Sequence, residues 1–218
     1  MSNFKAIIFD MDGVLIDSES HWALAERPFR EKYNLKITPE MVVRFNGRSE
    51  KENLTWIKNE FNLEPSVEDL LIERSECIDE IYKKLANTVP GVENILIRVK
   101  QNSLPQALSS GAPMRNIDQI VDRFAWKKYF DQIVSSEHVN HIGKPNPAIF
   151  LRTAELLQIE PRDCVVIEDA QNGIAAAKSA GMTCVALVGQ TWSIGDLSAA
   201  DYQVKNFSDI DIYNIIGI

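Results

Sequence analysis

Cysteine is scarce in this chain: three in 218 residues, Cys77, Cys164 and Cys184, with no paired spacing. That excludes a disulfide framework and a cysteine-rich zinc site, and it fits ordinary buried thiols in a reducing compartment. Positive charge is short as well, with 23 lysines and arginines against 31 acids and a net charge of −8. Such a field repels nucleic acid and anionic membrane surfaces, so neither is expected as a partner. A small anionic ligand remains admissible, because a local cation reverses the field inside a pocket. No apolar run reaches the length of a membrane span, and Met1 is not followed by a basic segment, an apolar stretch and a cleavage site; a cytoplasmic location and a monomer are the expectations. Internal repeats and low-complexity tracts are missing too. What is present is 45% hydrophobic residues, enough for one full core and a second small one.

The apolar run Ala6 to Phe9 reads as a strand buried on both faces, and it ends in Asp10-Met11-Asp12-Gly13. Residues from about 19 to 85 then carry helix-period apolar positions without a convincing strand. Trp22, Leu24, Ala25 and Phe29 suit a first helix, broken near Pro28. Thr38-Pro39 starts a second, Ser49-Glu-Lys-Glu52 reads as a capping box for a third, and Ser66-Val-Glu-Asp69 opens a fourth. From Val89-Pro90-Gly91 the pattern alternates. Helices are expected at about 92–101, 114–125, 147–157 and 171–181, with strands at 106–109, 132–135, 163–168, 183–188 and 202–205 before a terminal helix. Pro105 cannot donate to a sheet ladder, so its strand starts after it. This is the pattern of an α/β fold, a doubly wound parallel sheet with an inserted block of four helices. The expected division is a core of 1–16 and 88–218 and a helical domain of 17–87.

Carboxyl ends of parallel strands are where such sheets bind ligands, and here they carry chemistry. Asp10 and Asp12, spaced i, i+2, supply two carboxylates with separable tasks: one to attack an electrophile or bind a hard cation, the other to carry a proton. Ser109-Ser110-Gly111 offers hydroxyls and backbone N–H groups to phosphoryl oxygens, though such serines taken singly are more often an ordinary helix entry. Lys144 lies in Gly143-Lys-Pro-Asn-Pro147, where two prolines hold the chain around it; alone, it is equally a solvated turn lysine. Glu168-Asp169 follows the apolar strand ending at Ile167, a placement suited to a metal, although a helix start also favours acids. Three or four carboxylates, a hydroxyl and one ammonium along a single sheet edge make a site for a hard divalent cation and a phosphate. Magnesium suits the oxygen donors, and with it Asp10 can stay ionised and approach phosphorus in line.

The sequence resembles the haloacid dehalogenase superfamily, in its β-phosphoglucomutase-like phosphatase branch, over nearly the whole chain. The family's four motifs are matched in order by Asp10-Met-Asp12-Gly13-Val14-Leu15, by Ser110, by Lys144 in Gly-Lys-Pro, and by Glu168-Asp169 with Gly173. The helical insertion resembles the family's four-helix cap, which closes over the site. The resemblance implies hydrolysis of a phosphate monoester through an aspartyl-phosphate, with Asp10 as nucleophile and Asp12 as acid and base. It also implies Mg²⁺ held by Asp10, the Asp12 carbonyl and Asp169, with Glu168 a ligand through water or a support. Ser110, Gly111 and Lys144 would bind the transferring oxygens, and Trp22 and Arg48 the rest of a small phosphorylated metabolite, a sugar, polyol or nucleotide phosphate.

The same motifs serve sugar phosphomutases, in which a histidine after the first motif and cap cations hold a second phosphate. Here Trp22 takes the histidine's place, and His21 is turned about 100° away on a helix. Glu50 replaces the mutase arginine, and no counterpart of the cap lysine is evident. A phosphatase is therefore expected, with a mutase as the alternative. A non-catalytic phosphate-binding or phosphoacceptor regulatory protein is the alternative from another class. A receiver domain would carry its acceptor on a middle strand without a helical insertion, and a silent binding protein would have lost Asp10, Asp12 or Lys144.

Overall fold

Strand β1 (Ala6–Phe9) is completely buried because helices cover both faces of the sheet it centres. The structure is a computed structural model and describes residues 4–190 and 195–218. With β2 (Gln106–Ser110), β3 (Gln132–Ser135), β4 (Cys164–Glu168), β5 (Thr183–Leu187) and β6 (Tyr202–Val204), β1 forms an all-parallel sheet in the order β3-β2-β1-β4-β5-β6. The strand order reverses at β1, which opens a crevice beyond its carboxyl end. Phe9 pairs with Leu108 on one side and Ile167 on the other, so Asp10, Ser109 and Glu168 stand at one level along that edge.

Alternation along the strands sorts the core into two layers. Ile7, Phe9, Leu108, Val165 and Ile167 face Ile95, Leu96 and Val99 of α6 (Val92–Gln101), Ile117 and Ile120 of α7 (Met114–Arg123), and Phe207. Ala6, Ile8, Val166 and Cys184 face Ile149 and Phe150 of α8 (Ala148–Leu157) and Ile174 and Ala177 of α9 (Gln171–Ser179). The same alternation separates the two serines of β2: Ser109 turns its hydroxyl to Thr153 of α8, 2.6 Å away and buried, while Ser110 faces the crevice.

Between β1 and α6 come α1 (Trp22–Ala25), α2 (Arg27–Lys32), α3 (Pro39–Phe45), α4 (Glu50–Glu60) and α5 (Val67–Glu80), the last running into a π-helical turn at Ile81–Leu85. The break between α1 and α2 at Glu26 is the one Pro28 demands. These helices bury an apolar cluster of their own, Phe29, Leu35, Leu54, Ile57 and Leu70. Ser66 and Asp69 close a reciprocal capping box on α5. The box expected at Ser49 is only half made: Ser49 accepts from the Glu52 N–H at 3.3 Å, but the Glu52 carboxylate turns towards Arg48. The strand expected from 163 begins at Cys164, because Asp163 ends a 3-10 turn and pairs with Lys5 at 2.7 Å. Among the described residues no helix is long and apolar enough to cross a membrane.

Candidate active site

The reversal of strand order delivers Asp10 from β1, Ser110 from β2 and Glu168-Asp169 from β4 to one crevice, and the segment before α8 brings Lys144 into it. Lys144 is 1% exposed, and its Nζ donates to Asp10 Oδ1 and Glu168 Oε1, both at 2.5 Å. The reading of Lys144 as a solvated turn residue is thereby overturned. Burial would lower its pKa, but the two carboxylates outweigh that and hold the ammonium above its usual range. Asp10 shows the converse: burial pushes its carboxyl up to about 8 against the pull of Lys144. Asp12 is raised by burial too, opposed by hydrogen bonds from Ser18 and Tyr82; Ser18 Oγ donates at 2.6 Å and Ser110 Oγ more loosely at 3.4 Å.

Glu168 is completely buried, with its acceptors engaged: Oε1 takes Lys144, and Oε2 takes the N–H groups of Asp169 and Ala170 at 3.0 and 3.1 Å. A Cβ on Gly173 would lie 1.8 Å from its Oε1, so the residue there must be glycine. Asp169 differs. It is 2% exposed, its Oδ2 has no hydrogen-bond partner, and burial, with the charges of Glu168, Glu19 and Asp10, raises its carboxyl well above the ordinary range. Gly13, with φ +81°, lets the loop pass this carboxylate; a Cβ there would meet Asp169 Oδ2 at 1.9 Å.

Asp10, Glu168 and Asp169 each offer a carboxylate oxygen, all within 4.8 Å of one another. A buried orphan carboxylate beside a second acid is a costly arrangement unless a cation joins it, and the hard oxygen donors fit Mg²⁺. Of the three, Glu168 already accepts from Lys144 and two backbone N–H groups, whereas Asp169 Oδ2 accepts from none. Asp10 and Asp169 thus keep the most capacity for direct ligation, and Glu168 holds Lys144.

The helices between β1 and α6 form the roof. Asn172 Nδ2 donates to the carbonyls of Val43, Arg44 and Asn46 at 3.3, 3.1 and 2.8 Å, and Ser49 Oγ donates to the His141 carbonyl at 2.6 Å. The cavity beneath them is lined by Asp10, Asp12, Ser110, Gly111, Trp22 and Arg48, all of which the sequence singled out. His21 is not among its lining residues; its Nε2 lies 3.9 Å from Asp17 Oδ1. Arg48 faces Glu52 at 3.7 Å, and its Nε has no hydrogen-bond partner.

The lining residues that escaped the sequence reading include Glu19, Glu26, Arg74 and Asn116. No counterpart of the cap lysine was evident in the sequence, yet Arg74 of α5 reaches the cavity. It donates to Glu26, to Glu50 Oε1 at 2.6 Å, and lies 4.8 Å from the Trp22 ring centre. Arg30 takes the other Glu26 oxygen at 2.5 Å. Burial works to raise the Glu26 carboxyl, and the Arg74 and Arg30 guanidiniums outweigh it and hold it low. Glu50 therefore does more than repel a phosphate: it occupies an arginine. Glu19 is pushed up to about 8 by burial and by the charges of Asp12 and Asp10. Only an i, i+4 spacing linked Glu26 to Arg30 in the sequence; nothing local linked it to Arg74.

Comparison with known proteins agrees with this geometry. The family model of haloacid dehalogenase-like hydrolases matches residues 4–181. The chain is 35% identical over 178 residues to a phosphorylated carbohydrates phosphatase of Thermotoga maritima, covering 82% of each chain. It is 33% identical over 215 residues to a β-phosphoglucomutase of Bacillus subtilis, covering 95% of this chain and 92% of the relative. Among solved structures, a β-phosphoglucomutase of Clostridium difficile superposes with a TM-score of 0.82 at 27% identity, covering 98% of this chain and 96% of that one.

Proposed function

The chain belongs to the haloacid dehalogenase-like hydrolases, and from that premise we propose that it is a Mg²⁺-dependent phosphatase acting on a small phosphate monoester, a sugar, polyol or nucleotide phosphate. The observation that carries this reading is the buried Asp10–Lys144–Glu168 chain beside the unpartnered Asp169 Oδ2, at the floor of the cavity under the helices. The Thermotoga relative bears the name of a phosphatase of phosphorylated carbohydrates. We place the covering helices in a cap of residues 17–87 over a core of 1–16 and 88–218.

An Asp10 oxygen attacks phosphorus, the bond to the leaving alcohol oxygen breaks, and Asp12 delivers a proton to that oxygen. Burial prepares Asp12 for this by favouring its protonated form. Water then attacks the aspartyl-phosphate, Asp12 takes the water's proton, and phosphate departs with Asp10 restored. Splitting the transfer gives two easier displacements. Lys144, aimed by Asp10 and Glu168, keeps a third hydrogen for a phosphoryl oxygen, and Ser110 and the N–H of Gly111 supply further donors. The Asp10 carboxylate, the Asp12 carbonyl and Asp169 would hold Mg²⁺, which supplies positive charge to the transferring oxygens.

Asp12→Asn should lower turnover at least about a hundredfold, since the amide keeps the contacts of Ser18 and loses the transferable proton. A smaller loss with an alkyl phosphate, whose leaving group needs protonation, moves the acid/base role elsewhere. The mutase alternative requires cap cations free to hold a second phosphate: Arg30 and Arg74 are bonded to carboxylates, and Arg48, 3.7 Å from Glu52 with its Nε unpartnered, is the cation left for one. β-Glucose 1-phosphate, if accepted, should therefore yield inorganic phosphate and glucose without a bisphosphate activator. Phosphorus NMR decides it: stoichiometric glucose 6-phosphate with little free phosphate favours the mutase, and no Mg²⁺-dependent hydrolysis of an aryl phosphate favours a non-catalytic protein.

A further inference from the structure

The segment that follows β3 bonds its side chains to the backbone of the turn that follows β2, and the proposed hydrolysis makes no use of it. Ser110 pairs with Ser135 in the register of the two strands, so the residues after each run side by side. Ser136 Oγ donates to the Gly111 carbonyl at 2.9 Å, Ser135 Oγ donates to the Ala112 carbonyl at 2.7 Å, and Glu137 Oε1 accepts from the Met114 N–H at 3.1 Å. Ser135 and Ser136 are completely or almost completely buried, and Ser135 Oγ also accepts from the Glu137 N–H at 3.2 Å. Three consecutive residues thus hold three backbone groups of the turn between Ser110 and α7.

We propose that Ser135 and Ser136 are positioning residues for the phosphoryl transfer: by clamping the turn after β2 they set the Ser110 hydroxyl as a hydrogen-bond donor to the transferring group. This rests on the phosphatase reading. The link is the trans peptide unit between Gly111 and Ala112. Its C=O and N–H point in opposite directions, so anchoring the Gly111 carbonyl on Ser136 directs the Ala112 N–H the other way. There it donates to Ser110 Oγ at 3.1 Å. With that oxygen accepting from the backbone, the hydroxyl hydrogen is left for another acceptor. Its partner in this structure is Asp12 Oδ2 at 3.4 Å, a long contact that a phosphoryl oxygen can replace. Without the Ser136 hydroxyl the buried Gly111 carbonyl loses its donor, the peptide unit is free to turn, and the Ala112 N–H no longer fixes Ser110. Ser135 acts on the next carbonyl of the same turn. A donor aimed before charge develops needs no reorganisation during the reaction, which is why the aim of Ser110 affects the rate.

The test is a double-mutant cycle on Mg²⁺-dependent turnover of p-nitrophenyl phosphate, with Ser135→Ala and Ser136→Ala each made alone and together with Ser110→Ala, and with melting curves as a control on folding. Loss of one preorganised donor costs about a hundred- to a thousandfold in kcat, so Ser110→Ala should fall in that range and each clamp variant should lose about ten- to a hundredfold, in kcat rather than KM. In the Ser110→Ala background the same clamp substitutions should cost less than about threefold, because the hydroxyl they position is gone. Ser136→Thr, which keeps the hydroxyl, should recover most of the activity. Either serine carries the test if the alanine variant of the other fails to fold. Folded clamp variants with an unchanged kcat overturn the proposal, and so do losses that multiply in full with that of Ser110→Ala. A parent without Mg²⁺-dependent turnover of the aryl phosphate removes the phosphatase reading itself, and the clamp's role with it.

Discussion

Asp10→Asn should abolish turnover, by at least about 10⁴-fold, while the protein still folds; losses of that order follow removal of a covalent nucleophile. The amide preserves the shape at the end of β1 and still accepts from Lys144 Nζ, so the crevice keeps its packing. What disappears is the charge that in the proposed mechanism attacks phosphorus and, with Asp169, would bind the cation. The fold does not need that charge, since burial already pushes the Asp10 carboxyl up to about 8. A melting temperature near that of the parent, together with rates at the uncatalysed level, is the expected pair of results. Substantial Mg²⁺-dependent hydrolysis by the purified variant assigns the nucleophile to another residue.

Lys144→Met should be the most destabilising substitution in the site. The side chains of Lys144, Asp10 and Glu168 are only 1%, 7% and 0% exposed, and removing the ammonium leaves two buried carboxylates with no counter-charge between them. Breaking a buried ion pair from one side costs about 3–5 kcal/mol. The loss has a pH signature. Asp10 sits above its unfolded value even with Lys144 present, and without the ammonium it rises further, so the folded state favours the protonated acid. Stability is then retained in acid and lost as pH rises through the folded-state pKa. Urea unfolding in chelator at about pH 6.5 and pH 9 should show the larger deficit at the higher pH, because Asp10 of the parent ionises near pH 8 and that of the variant only above it. A variant as stable as the parent at both would mean that the ion pair carries no weight in the fold.

The strand ends were legible because the signals were local. Ala6 to Phe9, Leu108 and Cys164 to Ile167 are short apolar runs, and the polar residue that follows each must lie at the sheet's edge whatever the rest of the chain does. Pro28 placed the helix break, and Ser66 with Asp69 placed a helix start, by the same kind of near-neighbour chemistry. Ser49 shows where such reading stops: its hydroxyl is claimed by the carbonyl of His141, ninety-two positions away, and Glu52 turns to Arg48.

The charge balance of the cavity lay beyond any local pattern. Glu26 and Arg74 are forty-eight positions apart, and Glu50 is twenty-four from Arg74, so neither pairing leaves a trace in spacing. Glu50 alone signalled repulsion of a second phosphate; bonded to Arg74, it also engages a cation that could have held one. Glu168 and Asp169 read alike as adjacent acids. Folding divides them, because one is surrounded by Lys144 and two backbone N–H groups and the other faces the crevice with an oxygen unpaired. Hydrophobic period, capping and strand-end polarity act within a few residues and were decided by the sequence itself: the parallel sheet, the helical insertion and the four motif positions. Which charges cancel, which donors stay unpaired and which acid is free for a cation depend on desolvation and on contacts between distant segments, and only the tertiary structure could decide them.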